Sequence, residues 1–179
     1  SKDKVTFTIG NDIFEYDEVC ICTGSSSDDL IALNGSSLKR GQVSIVKSEE
    51  SLKDIRVPVC AKGYISPMID GIHLVGSSYS NHLDTEIRED EHASNLRNLK
   101  IIYSGDPVIK SGKAGLRAVS KDHVPIAGNL EGIFINTCHG SKASITAPIC
   151  AEVVACKMLN LSPPLEKSEL DALSPLRFN

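Results

Sequence analysis

The stretch with the most chemical content is an apolar strand, Gly132-Ile-Phe-Ile-Asn136, that runs into the small loop Thr137-Cys138-His139-Gly140-Ser141. The pattern predicts a helix next, from about Ser144 to Leu159. A helix N-terminus presents unpaired amides and a partial positive charge, so it stabilises an anion placed above it. A reduced flavin, negative along its pyrimidine edge, would suit that seat. A phosphate or a carboxylate would suit it equally, and plain helix packing is the ordinary explanation of the pattern. A second junction of this kind lies earlier. Val19-Cys20-Ile21-Cys22 is a continuous apolar run that ends in Thr23-Gly24-Ser25-Ser26-Ser27. A small-residue loop after a buried strand is where an α/β sheet admits a ligand closely; a simple turn is the alternative.

Other reactive side chains give weaker signals. The six cysteines (20, 22, 60, 138, 150, 156) include no C-x-x-C pair. Zinc needs a tighter Cys/His grouping than this. Cys20 and Cys22 share one face of their strand, and most of the thiols sit in apolar surroundings, as in a reducing cytoplasm. Lys110, Lys113, Arg117 and Lys121 cluster locally. A solvated face explains such a cluster more simply than an RNA groove does.

The chain that must position these residues has 179 residues, 41% hydrophobic and 23% charged, with a formal net charge of −4. That length allows one domain, or two halves that share a core, without disulfides or metal. The composition excludes a disordered or collagen-like chain. With no Trp, four Phe and four Tyr, the core must rest on Ile, Leu, Val and Ala. No run of about 18 apolar residues is present to form a membrane-spanning helix. The opening Ser1-Lys2-Asp3-Lys4 does not lead into an apolar signal-peptide core. The charge is not that of an obvious nucleic-acid binder, since such domains are usually basic.

Alternation predicts a hairpin over residues 5–16, turning at Gly10-Asn11-Asp12. Residues 41–46 predict another strand. Residues 64–69 and 72–79 flank Asp70-Gly71, a strong hairpin signal. Thr85 to Ile102 predicts a helix capped by Thr85, with Glu86, Glu89, Asp90 and Glu91 in its first turns. Its expected apolar stripe is Ala93, Leu96, Leu99 and Ile102. In the later helix, Pro148 is expected in the first turn, where its missing amide costs nothing. The tail from Ser162 to Asn179 holds one further short helical stretch.

Family likeness sharpens these readings. The run Gly115-Leu-Arg117-Ala-Val-Ser-Lys-Asp122-His123-Val-Pro125-Ile-Ala-Gly128, then Ile133 to Ser141 and Ala147-Pro148, resembles the C-terminal signature of the D-amino-acid-oxidase-like flavoproteins. Arg40-Gly41-Gln42-Val43, Gly63-Tyr64-Ile-Ser-Pro67 and Ser174-Pro-Leu-Arg177-Phe178 extend the resemblance, in order, over nearly the whole chain. Two features depart from it. The loop expected as Gly-Ser-Arg-Gly carries Lys142 and Ala143, and Ala143 would crowd a flavin that a glycine admits. No G-x-G-x-x-G follows a strand. The resemblance therefore implies an α+β chain that is the C-terminal part of a longer protein. Residues 1–24 and 112–160 would close a Rossmann-like FAD domain. Residues 25–111 would form an antiparallel-sheet substrate domain, and 161–179 a tail. The first βαβ unit and a methyltransferase half would lie upstream, and exposed apolar surface would remain where they pack.

The resemblance also implies a cytoplasmic enzyme in which FAD oxidises the carboxymethylaminomethyl group on the wobble uridine of tRNA. Hydride leaves the glycine α-carbon, the imine hydrolyses, and glyoxylate departs. Arg117 would clamp the substrate carboxylate, for which a guanidinium fork is suited. Tyr64 would cover the substrate side of the flavin. Thr23 and Gly24 would lie near the pyrophosphate or adenosine end. Arg40 and Gln42 would face the flavin from the substrate domain. His139, Gly140, Ser141, Lys142, Ala143 and Ser144 would line the ring system. An unperturbed histidine titrates near neutrality, roughly 6.5, so His139 could act as a general base, although hydride transfer from a neutral amine needs none. His73, His82, His92 and His123 are expected as surface or packing residues. An oxidase of free glycine or sarcosine, and an interaction domain that binds no flavin, are the alternatives.

Overall fold

A computed structural model describes residues 4–179. The strands are β1 (Val5–Ile9), β2 (Asp12–Tyr16), β3 (Cys20–Ile21), β4 (Ser36–Lys47), β5 (Val59–Cys60), β6 (Tyr64–Ile65), β7 (Ile72–Gly76), β8 (Ile109–Ser120), β9 (Ile126–Leu130) and β10 (Ile133–Thr137). The α-helices are α1 (Glu89–Leu99), α2 (Ala143–Met158) and α3 (Lys167–Leu173). The chain divides into two compact units, Ser1–Leu38 with Arg117–Asn179, and Lys39–Leu116. It passes between them within β4 and within β8, later in the sequence than the expected crossings at 24–25 and 111–112.

In the first unit β1 and β2 form the expected hairpin, with Gly10 at φ 61° in the turn and Phe7 stacked on Phe14 at 5.4 Å. The order β3-β10-β9 follows from sequence pattern. Asn129 and Glu131-Gly132 are turn chemistry: the Gly132 amide donates to Asn129 Oδ1 at 3.0 Å, and residues 131 and 132 take φ 51° and 90°. That tight turn makes β9 and β10 antiparallel. The apolar run at Cys20-Ile21 pairs parallel to Phe134-Ile135. α2 covers this sheet and buries Cys150, Val153, Val154 and Cys156; the first three pack with Ala127, Phe134 and Leu173 in one core. Pro148 is the sixth residue of α2, one turn further in than expected. Its missing amide leaves the Ser144 carbonyl without an i+4 donor. Apolar surface is exposed, as at Ile145, which is 77% accessible, and at Ile9, Ile13 and Leu159.

The second unit is a five-stranded sheet in the order β5-β6-β7-β4-β8. Asp70 and Gly71 turn the β6–β7 hairpin with φ 49° and 74°. α1 is shorter than expected, and Thr85 does not cap it. Its N-cap is Arg88, in extended backbone and with no side-chain cap bond. The expected apolar stripe holds only in part: Leu99 is buried and Leu96 packs against the same core, but Ile102 lies beyond the helix and is exposed. α1 buries Glu91, His92 and Asn95 along with Leu99, while Ala93 is exposed. The reason lies in β4, where Arg40, Gln42 and Ser44 point to one face by strand alternation and are fully buried. Buried polar groups must be satisfied, so the helix face that meets them is polar. Arg40 Nε donates to both Glu91 oxygens at 3.2 Å, Asn95 Nδ2 donates to the Gln42 carbonyl at 3.0 Å, and Ser44 Oγ lies 2.7 Å from His92 Nδ1. Apolar packing resumes beyond, with Val46, Leu52, Ile65, Val75 and Leu99. His73 and His92 are buried packing residues, as expected; His73 Nδ1 lies 2.8 Å from the Ser66 carbonyl.

Burial raises the Glu91 carboxyl, but hydrogen bonds from Ser78, Ser80 and Arg40 more than offset this and hold it below its ordinary value. A lowered folded-state value means that the stabilisation is complete above the unfolded carboxyl value, roughly 4.3, and is lost as pH falls through the folded one. Glu91→Gln leaves Arg40 buried without its counter-charge, and should cost about 3–5 kcal/mol in urea unfolding at neutral pH. The gap between variant and wild type should narrow on acidification; a gap that is constant with pH would refute the ion-pair account.

Candidate functional site

The parallel pairing of β3 with β10 brings the C-terminal ends of both strands to one edge of the sheet. Ligands of open α/β sheets bind at such an edge. Two loops leave from it. The first holds Thr23 and Gly24, with Gly24 at φ 60°. The second runs from Cys138 through Gly140–Lys142, a 3-10 turn, into α2. A buried hydroxyl pair ties them: Ser27 Oγ lies 2.9 Å from Thr137 Oγ1, which also donates to the Gly24 carbonyl at 3.3 Å. Sequence reasoning missed this pair, because Ser27 reads as an ordinary turn residue. Two hydroxyl residues placed just beyond adjacent strand ends were the available signal.

Cys138 and Gly140, at φ 59° and 58°, flank His139. Glycine is required at 140 on two counts, since a Cβ there would also lie 3.2 Å from Val119 Cγ1. His139 pins the loop. Its Nδ1 lies 2.9 Å from Thr146 Oγ1 and its Nε2 2.9 Å from Asn136 Oδ1. Asn136 Oδ1 can only accept, so Nε2 carries the proton of the neutral ring and Nδ1 accepts from the Thr146 hydroxyl, which also lies 3.1 Å from the Lys142 carbonyl. Both ring nitrogens are engaged, and burial lowers the His139 pKa. The residue is therefore a neutral brace rather than a base. Burial likewise pushes the Cys138 thiol up to about 11, so it is inert at neutral pH.

Ser141, Lys142, Ala143 and Ser144 are exposed at the start of α2. That helix has neither a side-chain cap nor an acidic residue in its first turn. Such an open N-terminus on a sixteen-residue helix suits an anionic or strongly polar ligand edge. The residues present thus fit the seat expected for a flavin, and Ala143 stands on the exposed side of it. Arg117 is half-buried on β8 in this unit. Tyr64 is half-buried on β6 in the other unit.

Arg40 and Gln42 are placed differently from the rest. Both are 0% exposed. Arg40 Nη1 donates to the Asp84 carbonyl at 2.6 Å, Nη2 to Gln42 Oε1 at 2.9 Å and to the Glu86 carbonyl, and Nε to Glu91. Gln42 Nε2 donates to the Arg88 carbonyl at 2.8 Å. Their polar ends hold the segment leading into α1 and are consumed there.

The expected signature residue Asp122 has a structural task. Arg177 grips it with two bonds, Nε to Oδ2 at 2.9 Å and Nη2 to Oδ1 at 3.1 Å, and Ser120 Oγ donates to Oδ1 at 2.9 Å. The same Arg177 donates to the Val124 carbonyl at 2.7 Å, so the chain end is stapled to the turn before β9.

A strand–loop–helix edge with an open helix N-terminus is the kind of place where sheet-and-helix proteins take up anionic or nucleotide ligands. The family described as FAD dependent oxidoreductase matches residues 2–157, and the chain belongs to it. Among curated proteins it is similar to the tRNA 5-methylaminomethyl-2-thiouridine biosynthesis bifunctional protein MnmC of Methylobacillus flagellatus, 31% identical over 78% of this chain and 26% of that protein. The namesake protein of Pseudoalteromonas atlantica is 30% identical over 92% of this chain and 28% of its own length. The chain thus spans less than a third of these relatives. Glycine oxidase from Geobacillus kaustophilus shares the fold, with a TM-score of 0.79 at 18% identity over 92% of this chain and 46% of that one. Iminodiacetate oxidase from Chelativorans sp. BNC1 has the same TM-score at 17% identity over 92% and 47%. No helix among the described residues is long and apolar enough to cross a membrane, and no His/Cys/Asp/Glu group there could hold a metal ion.

The Arg177 grip, led by its hydrogen bonds, holds the Asp122 carboxyl well below the usual carboxylate range. Its stabilisation is therefore full above the unfolded value, roughly 3.9, and fades as pH falls through the folded one. Asp122→Asn should cost about 1 kcal/mol at neutral pH, since the pair is partly solvent-screened. It should also open the C-terminal tail to limited proteolysis. Unchanged cleavage at the tail would remove the stapling role.

Proposed function

We propose that this chain is the C-terminal part of a cytoplasmic FAD-dependent oxidase acting on tRNA. It would remove the carboxymethyl group, as glyoxylate, from carboxymethylaminomethyluridine at the wobble position. The observation that carries this reading is the likeness to the MnmC proteins, about 30% identical over 78–92% of the chain. The open α2 edge supports it from the structure. The remainder of such a protein, including a methyltransferase part, would precede this chain.

Thr23 and Gly24 on one loop, and His139, Gly140, Ser141, Lys142, Ala143 and Ser144 on the other, would hold the cofactor mainly through backbone groups. FAD, when bound, supplies an acceptor for the two electrons and hydrogen of a CH–NH unit. The chain's own residues supply placement. Arg117 fixes the substrate carboxylate, and so orients the adjacent carbon. Tyr64 shields that carbon from water. His139 keeps the loop in its left-handed turn while remaining neutral. Arg40 and Gln42 act at one remove, holding the α1 wall of the substrate unit rather than touching the cofactor. Electrons leave the C–H bond beside nitrogen, the resulting imine takes up water, and glyoxylate and an aminomethyl group part.

The test is a visible spectrum of the protein purified with its natural upstream sequence. A bound-flavin spectrum should bleach anaerobically with carboxymethylaminomethyl-modified tRNA and release glyoxylate. A colourless folded protein that takes up no FAD would overturn the reading. Bleaching by free glycine alone would move it to the activity named for glycine oxidase, a solved structure of the same fold. Arg117→Ala should retain the flavin spectrum and lose about a hundredfold in kcat/KM, chiefly through KM. Equal losses for a substrate lacking the carboxylate would exclude the clamp.

A further inference from the structure

The substrate unit holds an open cavity of about 360 Å³ that the oxidase reading does not use. Its lining includes Lys62, Tyr79, His82, Asp90, Ser94 and Asn98. Asp90, Ser94 and Asn98 recur every fourth residue, so they form one stripe along α1. Eight residues of helix rise put about 12 Å between the ends of that stripe. The two ends differ in chemistry. Lys62 belongs to the Asn98 end, because a Cβ on neighbouring Gly63 would lie 3.3 Å from Asn98 Cβ. Asp90 marks the other. The Tyr79 side chain is an aromatic surface, 54% exposed. Among the described residues the side chains of Lys62, Ser94 and Asn98 have no hydrogen-bond or ion-pair partner, while the Asp90 carboxylate interacts electrostatically with the Arg88 guanidinium. The floor is the opposite: Glu91 is buried and saturated by Arg40, Ser78 at 2.8 Å and Ser80 at 2.9 Å. The cavity thus has a hydrogen-bonded base and a rim with polar groups to spare.

A cation and neutral hydrogen-bonding groups at one end, an acceptor at the other and an aromatic face in the lining are the partners that one ribonucleotide needs. We propose that this cavity seats one nucleotide of the RNA partner other than the one that reacts. Lys62 takes the phosphate, Asn98 and Ser94 the ribose hydroxyls, and Tyr79 stacks on the base. Asp90, which only accepts hydrogen bonds when ionised, selects a base whose edge carries an amino group. This rests on the tRNA reading above and adds where the RNA is gripped.

Fluorescence anisotropy with an unmodified anticodon stem-loop RNA tests it, on the protein with its upstream sequence restored. Tyr79→Ala should weaken binding about tenfold, the loss of one stacked base. Lys62→Ala should weaken it less, and reduce the dependence of log K on log salt by about one. Lys53→Ala removes an exposed lysine that is paired with Glu50 and should leave affinity unchanged. Wild-type binding that survives both cavity substitutions within about twofold overturns the nucleotide seat and leaves the oxidase reading intact. Failure of the oxidase reading shows separately, as absent bleaching of the flavin by modified tRNA.

Discussion

Parallel pairing between β3 and β10 is the constraint on which the candidate site depends. Only two residue pairs make it, Cys20 with Phe134 and Ile21 with Ile135, yet they join segments far apart in sequence. Closing such a long loop costs conformational entropy, though the cost grows slowly with length. The return comes from burial: Ile21, Phe134 and Ile135 leave water, and α2 then has a sheet to cover. Once the strands are parallel, both following loops must emerge at one edge. The Ser27–Thr137 hydroxyl pair fixes their spacing, and His139 fixes the conformation of the second. The site is thus built of backbone held by small side chains, which suits a large planar ligand better than a metal or a nucleophile would.

The unit of residues 39–116 is organised on the opposite principle. Its centre is a charged group with no exposure at all. A buried guanidinium is tolerable only if its donors are filled, and Arg40 fills them with Glu91, Gln42, Asp84 and the Glu86 carbonyl. Such a cluster contributes less to net stability than apolar packing of the same volume would. It does fix register, because the strand and helix can mate only where these groups coincide. The α1 wall is accordingly rigid beneath, and its outer stripe is free to meet something else.

Local elements were legible where one physical rule decides them. The β1–β2 hairpin, the Asp70-Gly71 turn and the β10–loop–α2 unit each follow from periodicity plus a residue that tolerates positive φ. What was not legible turned on partners. α1 looked like an apolar-faced helix because Leu96, Leu99 and Ile102 suggest a stripe. Its inner face is apolar only toward the C-terminus, at Leu96 and Leu99; the rest is polar and set by Arg40, Gln42 and Ser44, which lie in another element. Arg40 and Gln42 were expected at the cofactor through the family resemblance, which does not show which neighbours consume their polar ends in this chain. The fork between Asp122 and Arg177 is a case of two recognisable residues whose mutual distance no spacing rule contains.

The distribution of charge bears on the proposed RNA partner. The net −4 is not spread evenly. The unit formed by residues 1–38 and 117–179 carries thirteen acidic and eight basic residues, whereas the unit of residues 39–116 carries ten acidic and eleven basic. Within the latter, Arg40 and Glu91 are buried, and exposed pairs such as Lys53–Glu50 and Lys100–Asp106 neutralise one another. Lys62 keeps its charge at the rim of a polar cavity. A phosphate backbone approaching within a Debye length, about 8–10 Å in physiological salt, senses these local charges and not the chain total. The repulsion implied by the overall sign therefore belongs to the unit proposed to carry the flavin edge, while the other unit is near neutral, as the proposed nucleotide seat requires.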